Sequence, residues 1–159
     1  MVYITGDIHG SLDPIRELCN KYNPTENDII VILGDVGLNY YGGHKDKRVK
    51  YQLNDIGCKF FCIHGNHEQR PATILSYTEK EWHGGFVYVE EQFPSILFAK
   101  DGEVYDLNGM QAIAIGGAYS IDWMLRIPGR SWWSDEQPSP EIKTRVEAKL
   151  EELDWKVDV

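Results

Sequence analysis

The chain has 159 residues, 42% of them hydrophobic, and a formal net charge of −9 at pH 7, which suits one domain with a real core. That acidity argues against a general nucleic-acid binder, since phosphate backbones are held by clustered lysine and arginine. No apolar stretch approaches the roughly 18 residues of a membrane span, and the opening MVYITGD lacks the basic region and apolar core of a secretory signal.

Residues 2–6 read as a first strand, rich in Val, Ile and aromatics and closed by Gly6. Ser11 is the expected cap of a helix over 12–22, with Pro14 in its first turn and Ile15, Leu18 and Cys19 as its apolar stripe. Asn23 to Asn27 reads as a turn, residues 28–33 as a second strand, and 37–43 as a glycine-bearing loop. A helix over 45–56 follows, with Gly57 as its C-cap, then a third strand over 59–63. The one basic cluster, His44 to Lys50, is expected to be the solvated face of that second helix.

After His67 the pattern changes. Residues 71–81 read as a short helix or irregular segment opened by Pro71. Short strands over 86–89, 95–99, 104–106 and 112–115 then suggest an antiparallel meander, with Asp101-Gly102 and Asn108-Gly109 as hairpin turns. Residues 117–139 form a long loop carrying Trp123, Arg126, Arg130, Trp132 and Trp133. A last helix is expected over 140–153, capped by Ser139, and residues 155–159 look like a strand beginning. Cys58 and Cys62 lie about 13 Å apart along one strand, too far to bridge, so with Cys19 they point to a reducing, cytoplasmic setting.

The chemistry is concentrated where the first three strands stop. Each ends in glycine followed by a ligand-type residue: Gly6-Asp7-Ile8-His9, Gly34-Asp35 and Gly65-Asn66-His67. Asp7 to Asp35 is 28 residues and Asp35 to Asn66 is 31, about one strand-helix-strand unit each. Right-handed crossovers bring such strand ends to one edge of a parallel sheet, outside which open sheets bind ligands. Two aspartates, two histidines and an asparagine should therefore converge on one crevice.

These residues resemble the calcineurin-like metallophosphoesterase superfamily, whose signature runs Asp-x-His, Gly-Asp, then Gly-Asn-His-Asp/Glu, followed by two later histidine motifs. The motifs cover residues 1 to about 70, and the later histidine motifs are not in this chain. The resemblance implies an α/β/β/α sandwich, here a single domain over 1–159 that looks C-terminally truncated. It implies two divalent transition-metal ions, Mn first with Fe, Zn or Co as alternatives, and a small phosphorylated substrate. Asp35 would bridge the ions, Asp7 and His9 would hold the first and Asn66 the second, whose donor set is incomplete. A metal-bound hydroxide would attack phosphorus while His67 protonates the leaving oxygen.

Leu38 and Asn39 stand where the protein-phosphatase branch has an aspartate and a phosphate-binding arginine, and His64 stands where that branch has another arginine. Arg70 is then the fallback phosphate partner. His44, His64 and His83 sit in no family ligand motif, although His83 lies in a loop that could approach the crevice. The loop tryptophans either wall a substrate pocket, with Arg126 or Arg130 meeting phosphate, or bury a small satellite core. The alternative to an enzyme is a metal-binding, catalytically weak scaffold that recognises a phosphorylated partner.

Overall fold

Alternation along the strands decides the architecture. In the computed structural model, which describes residues 1–159, β1 (Val2–Thr5), β2 (Ile29–Leu33) and β3 (Lys59–Ile63) run side by side and parallel. They are joined through α1 (Asp13–Tyr22) and α2 (His44–Asn54). The sheet is extended by β4 (Tyr77–Trp82), β5 (Gly85–Glu90) and β6 (Ile96–Ala99) into the order β1-β2-β3-β6-β5-β4. β6 is parallel to β3, while β5 and β4 are antiparallel to their neighbours. A separate hairpin, β7 (Val104–Leu107) with β8 (Met110–Ile113), forms a second sheet, and α3 spans Pro140–Glu152.

The even-numbered residues Ile30, Ile32, Phe60 and Cys62 pack with Ile15 of α1 and Leu53 of α2 in one core. The odd-numbered Ile29, Val31 and Phe61 pack with Tyr105, Leu107 and Ala112 of the second sheet in another. A strand apolar on both faces needs a layer on each, so helices cover one side and the hairpin the other. Each such side chain contributes about 1.5–3 kcal/mol by leaving water. Tyr105 pins the sheets together: its hydroxyl donates to the Phe86 carbonyl at 2.6 Å and accepts from the Lys100 amide at 2.9 Å. The fold is the layered α/β arrangement expected, a mostly parallel sheet followed by antiparallel strands.

Several local expectations are corrected. Residues 77–82 are an edge strand rather than a helix or irregular segment. Glu79, Lys80 and Glu81 are all exposed, as suits a sheet edge, and His83 and Gly84 close a two-residue turn with φ of 51° and 91°. Asn108-Gly109 is a true hairpin turn, but Asp101-Gly102 links β6 to β7 across two different sheets. The last residue before α1 is Leu12, and the Ser11 side chain does not cap it. Likewise α2 ends at Asn54 with Asp55 as its cap, and Gly57 turns the chain two residues later. Within the basic cluster Lys50 is buried, bonded to Glu90 and to Asn39, whereas Lys45, Lys47 and Arg48 are exposed.

Ser139 caps α3 as expected, accepting from the Ile142 amide at 3.3 Å. Residues 158 and 159 hydrogen-bond to Gln111 and Ile113 along the edge of β8. The three cysteines are free. No helix is long and apolar enough to cross a membrane.

Candidate metal centre

The loops after β1, β2 and β3 are locked to one another before any ligand is considered. The amides of His9 and Gly10 donate to the carbonyls of Asp35 and Val36 at 2.8 and 2.9 Å. At Gly37, φ is +77° and an added Cβ would lie 2.3 Å from the Gly10 nitrogen, so only glycine lets these turns touch. The third turn is held by Glu68. Its carboxylate, 1% exposed, accepts from the amides of Val36, Gly37, Leu38 and Gly65 at 3.2, 3.1, 3.4 and 3.2 Å. Burial pushes the Glu68 carboxyl up to about 7, against the amides of Gly65, Val36 and Gly37, which pull it down.

His9 and Asp35 have φ of 45° and 39°. Left-handed backbone at non-glycine residues costs energy and clusters at functional sites. Here it turns both side chains toward one point. The ligand atoms of Asp7, His9 and Asp35 lie within 4.8 Å of one another, and His9 Nε2 is 2.8 Å from Asp7 Oδ2. Asp35 Oδ1 also accepts from the His67 amide at 2.9 Å, and the His67 and His9 rings meet edge to face, 5.3 Å between centroids.

Asn66 lines the same crevice as Asp7 and Asp35, a cavity of about 520 Å³ between the sheets. Its Nδ2 donates to Ser120 Oγ at 2.8 Å. Ser120 is held in turn by buried Glu136, to which its amide and hydroxyl donate at 2.8 and 2.6 Å. This relay engages the amide nitrogen of Asn66 and leaves its Oδ1 free to face a cation. The donor set, carboxylate and amide oxygens with imidazole, fits a divalent transition ion better than calcium.

Not every expected residue joins. The Arg70 guanidinium is 7% exposed and bonds Asp101, the Asp135 carbonyl and the Gly116 carbonyl. It braces the scaffold and is not free to hold phosphate. His83 belongs to the β4–β5 turn, where Nδ1 meets the Asp106 carbonyl at 2.6 Å. His64 is buried and His44 lies at the start of α2, both outside the cluster. Leu38 and Asn39 are core, Asn39 accepting from Lys50 and Tyr77.

The arginine that does arrive is Arg126, from the long loop after β8. Its Nη2 lies 2.8 Å from His67 Nε2 and 2.8 Å from Asp122 Oδ1. Contact with Arg126 holds the Asp122 carboxyl below its usual range. Ser120, Asp122 and Glu136 were not readable as site residues beforehand. The paired glycines Gly116 and Gly117 are the local sign that backbone packs closely there. An added Cβ at Gly116 would meet the His64 ring at 2.5 Å, and one at Gly117 the Glu136 carbonyl at 2.0 Å.

A family model described as calcineurin-like phosphoesterase matches residues 1–156, well past the end of the three motifs. No curated protein and no solved structure matches the chain.

Proposed function

Because the chain belongs to the calcineurin-like phosphoesterase family, we propose that it hydrolyses a small phosphate ester, mono- or diester, with His67 as general acid beside a metal centre on Asp7, His9, Asp35 and Asn66. Metal-dependent phosphate-ester hydrolysis is the general chemistry of that family. The observation that carries the reading is convergence: donor atoms from two turns, 28 residues apart at Asp7 and Asp35, come within 4.8 Å. Divalent ions bound there supply positive charge against the phosphoryl oxygens and lower the pKa of water.

The chain's own part is positioning. Asp7 and His9 present oxygen and nitrogen from one turn. Asp35 stands between them and the His67 amide, which sets the third turn at a fixed height. Asn66 offers an oxygen because its nitrogen is committed to Ser120. The His67 imidazole, beside the His9 ring, is the group we assign to protonate the leaving oxygen. Manganese is the first choice of metal, with iron, zinc and cobalt compatible with the same donors.

A second reading has a specific observation behind it. No further histidine joins the ligand cluster: His44 and His83 lie elsewhere, and His64, which lines the same cavity as Asp35 and Asn66, is packed away at 3% exposure. A weakly held second ion would leave a metal-binding scaffold that recognises a phosphorylated partner and turns over poorly. Hydrolysis of an aryl phosphate and a bis-aryl phosphodiester, with Mn²⁺ added, separates the two. Turnover well above that of the Asp35→Asn variant is expected for the enzyme. Equal rates for both proteins would overturn it in favour of the scaffold.

A further inference from the structure

Arg126 reaches the centre with half of its guanidinium unused. The side chain is 12% exposed. Nη2 donates to Asp122 Oδ1 and to His67 Nε2, both at 2.8 Å, which accounts for its two hydrogens. Nη1 is buried and has no partner. A buried donor left unpaired is costly, and a guanidinium is a planar fork matched to two oxygens of one phosphate. The alternatives are committed elsewhere: Arg70 braces the scaffold, and Arg130 lines a separate hollow with Tyr40, Tyr41 and Trp133.

The contact with His67 gives the arrangement a direction. Guanidinium nitrogens donate and never accept, so His67 Nε2 is the acceptor here. A ring nitrogen whose lone pair is taken in this way has no proton of its own to give a leaving group. The observed pairing is therefore a resting one, with Arg126 parked on the group that must later act.

We propose that Arg126 is the residue that grips the substrate phosphate, and that it leaves His67 Nε2 for two phosphoryl oxygens when the ester binds. Asp122 stays as its anchor during the exchange, so the guanidinium pivots and the loop need not unfold. Phosphate arrival then opens His67 Nε2 to solvent, from which it takes the proton that it passes to the leaving oxygen. The inference rests on the phosphoesterase reading for the role of His67, but phosphate capture itself requires no turnover.

The test uses zinc-loaded protein and inorganic phosphate at low concentration, with binding followed by calorimetry and the His67 ring by ¹⁵N NMR. Arg126→Ala and Arg126→Gln should bind phosphate about 10- to 100-fold more weakly, and Arg126→Lys should recover part, since it restores charge without the fork. Zinc content should be unchanged in all three. In the wild type, phosphate should move the His67 Nε2 resonance in the same direction as Arg126→Ala does without phosphate. Folded, zinc-loaded variants binding phosphate as tightly as wild type would overturn the proposal, as would a His67 signal indifferent to phosphate. Arginine-dependent phosphate binding without hydrolysis would uphold this inference and sink the enzyme reading. Normal hydrolysis with arginine-independent binding would do the reverse.

Discussion

Glu68 is the residue whose removal should do most damage for its size. It sits at 1% exposure and satisfies four backbone amides drawn from two loops, Val36, Gly37 and Leu38 after β2 and Gly65 after β3. Hydrogen bonds to an ionised group contribute about 1.5–3 kcal/mol each, and a buried donor left without a partner costs about 1–3 kcal/mol. Four such bonds are not additive, the 3.4 Å bond to Leu38 is weak, and water entering the gap would rescue some donors. Glu68→Ala should therefore cost about 3–5 kcal/mol, a large part of the roughly 5–15 kcal/mol that holds a domain folded. Glu68→Gln keeps one acceptor but turns an amide nitrogen toward N–H donors, and should fall between the two at about 2 kcal/mol.

The assay is urea unfolding of metal-free protein at about pH 8, where a carboxyl with a pKa of about 7 is mostly ionised. Manganese affinity measured on the same variants reports the second consequence, because the loops that Glu68 ties together carry Asp35 and Asn66. Unfolding midpoints within about 1 kcal/mol of wild type, with metal affinity unchanged, would refute the claim that this carboxylate fastens the ligand turns.

Two further outcomes are expected. Ser120→Ala removes the partner that orients the Asn66 amide and should weaken the ion beside Asn66 by about 10- to 100-fold; calorimetry showing wild-type affinity at every site would contradict that role. His64 is held down to about 4 chiefly by burial, against the pull of Asp101, from an ordinary 6.5. The unfolded chain then binds the extra proton between those values, so the stability of metal-free protein should fall as pH drops from 6.5 toward 4. The loss amounts to at most about 3 kcal/mol. His64→Gln should flatten this limb of the unfolding-versus-pH curve, and an equally steep limb in the variant would rule His64 out as its source.

Much of the centre was legible because its signal is local. An apolar run, a glycine and a ligand-type residue sit within a few positions of one another at Asp7, Asp35 and Asn66, and crossover handedness alone then places all three at one edge. The strand Tyr77–Trp82 was missed for the opposite reason. It is an edge strand with charged residues facing water, so it lacks the apolar alternation by which strands are read. Asp101-Gly102 was recognised as a turn, but turn chemistry does not say which sheet the next strand joins. Arg70 illustrates a different limit: its motif neighbourhood suggested phosphate, whereas its partners, Asp101, Gly116 and Asp135, lie 31 to 65 residues away. The same separation hid the relay through Ser120, 54 residues from Asn66, and the approach of Arg126 to His67 across 59.

The central claim is that Asp7, His9 and Asp35 together hold a divalent ion. Metal content after dialysis against Mn²⁺ or Zn²⁺, compared between wild type and folded Asp7→Ala, His9→Ala and Asp35→Ala variants, tests it most directly. One firmly retained ion is expected in the wild type, with a second lost on dialysis, and loss of the firm ion in each variant. A wild type that retains no ion, or variants that retain as much as the wild type, would contradict it.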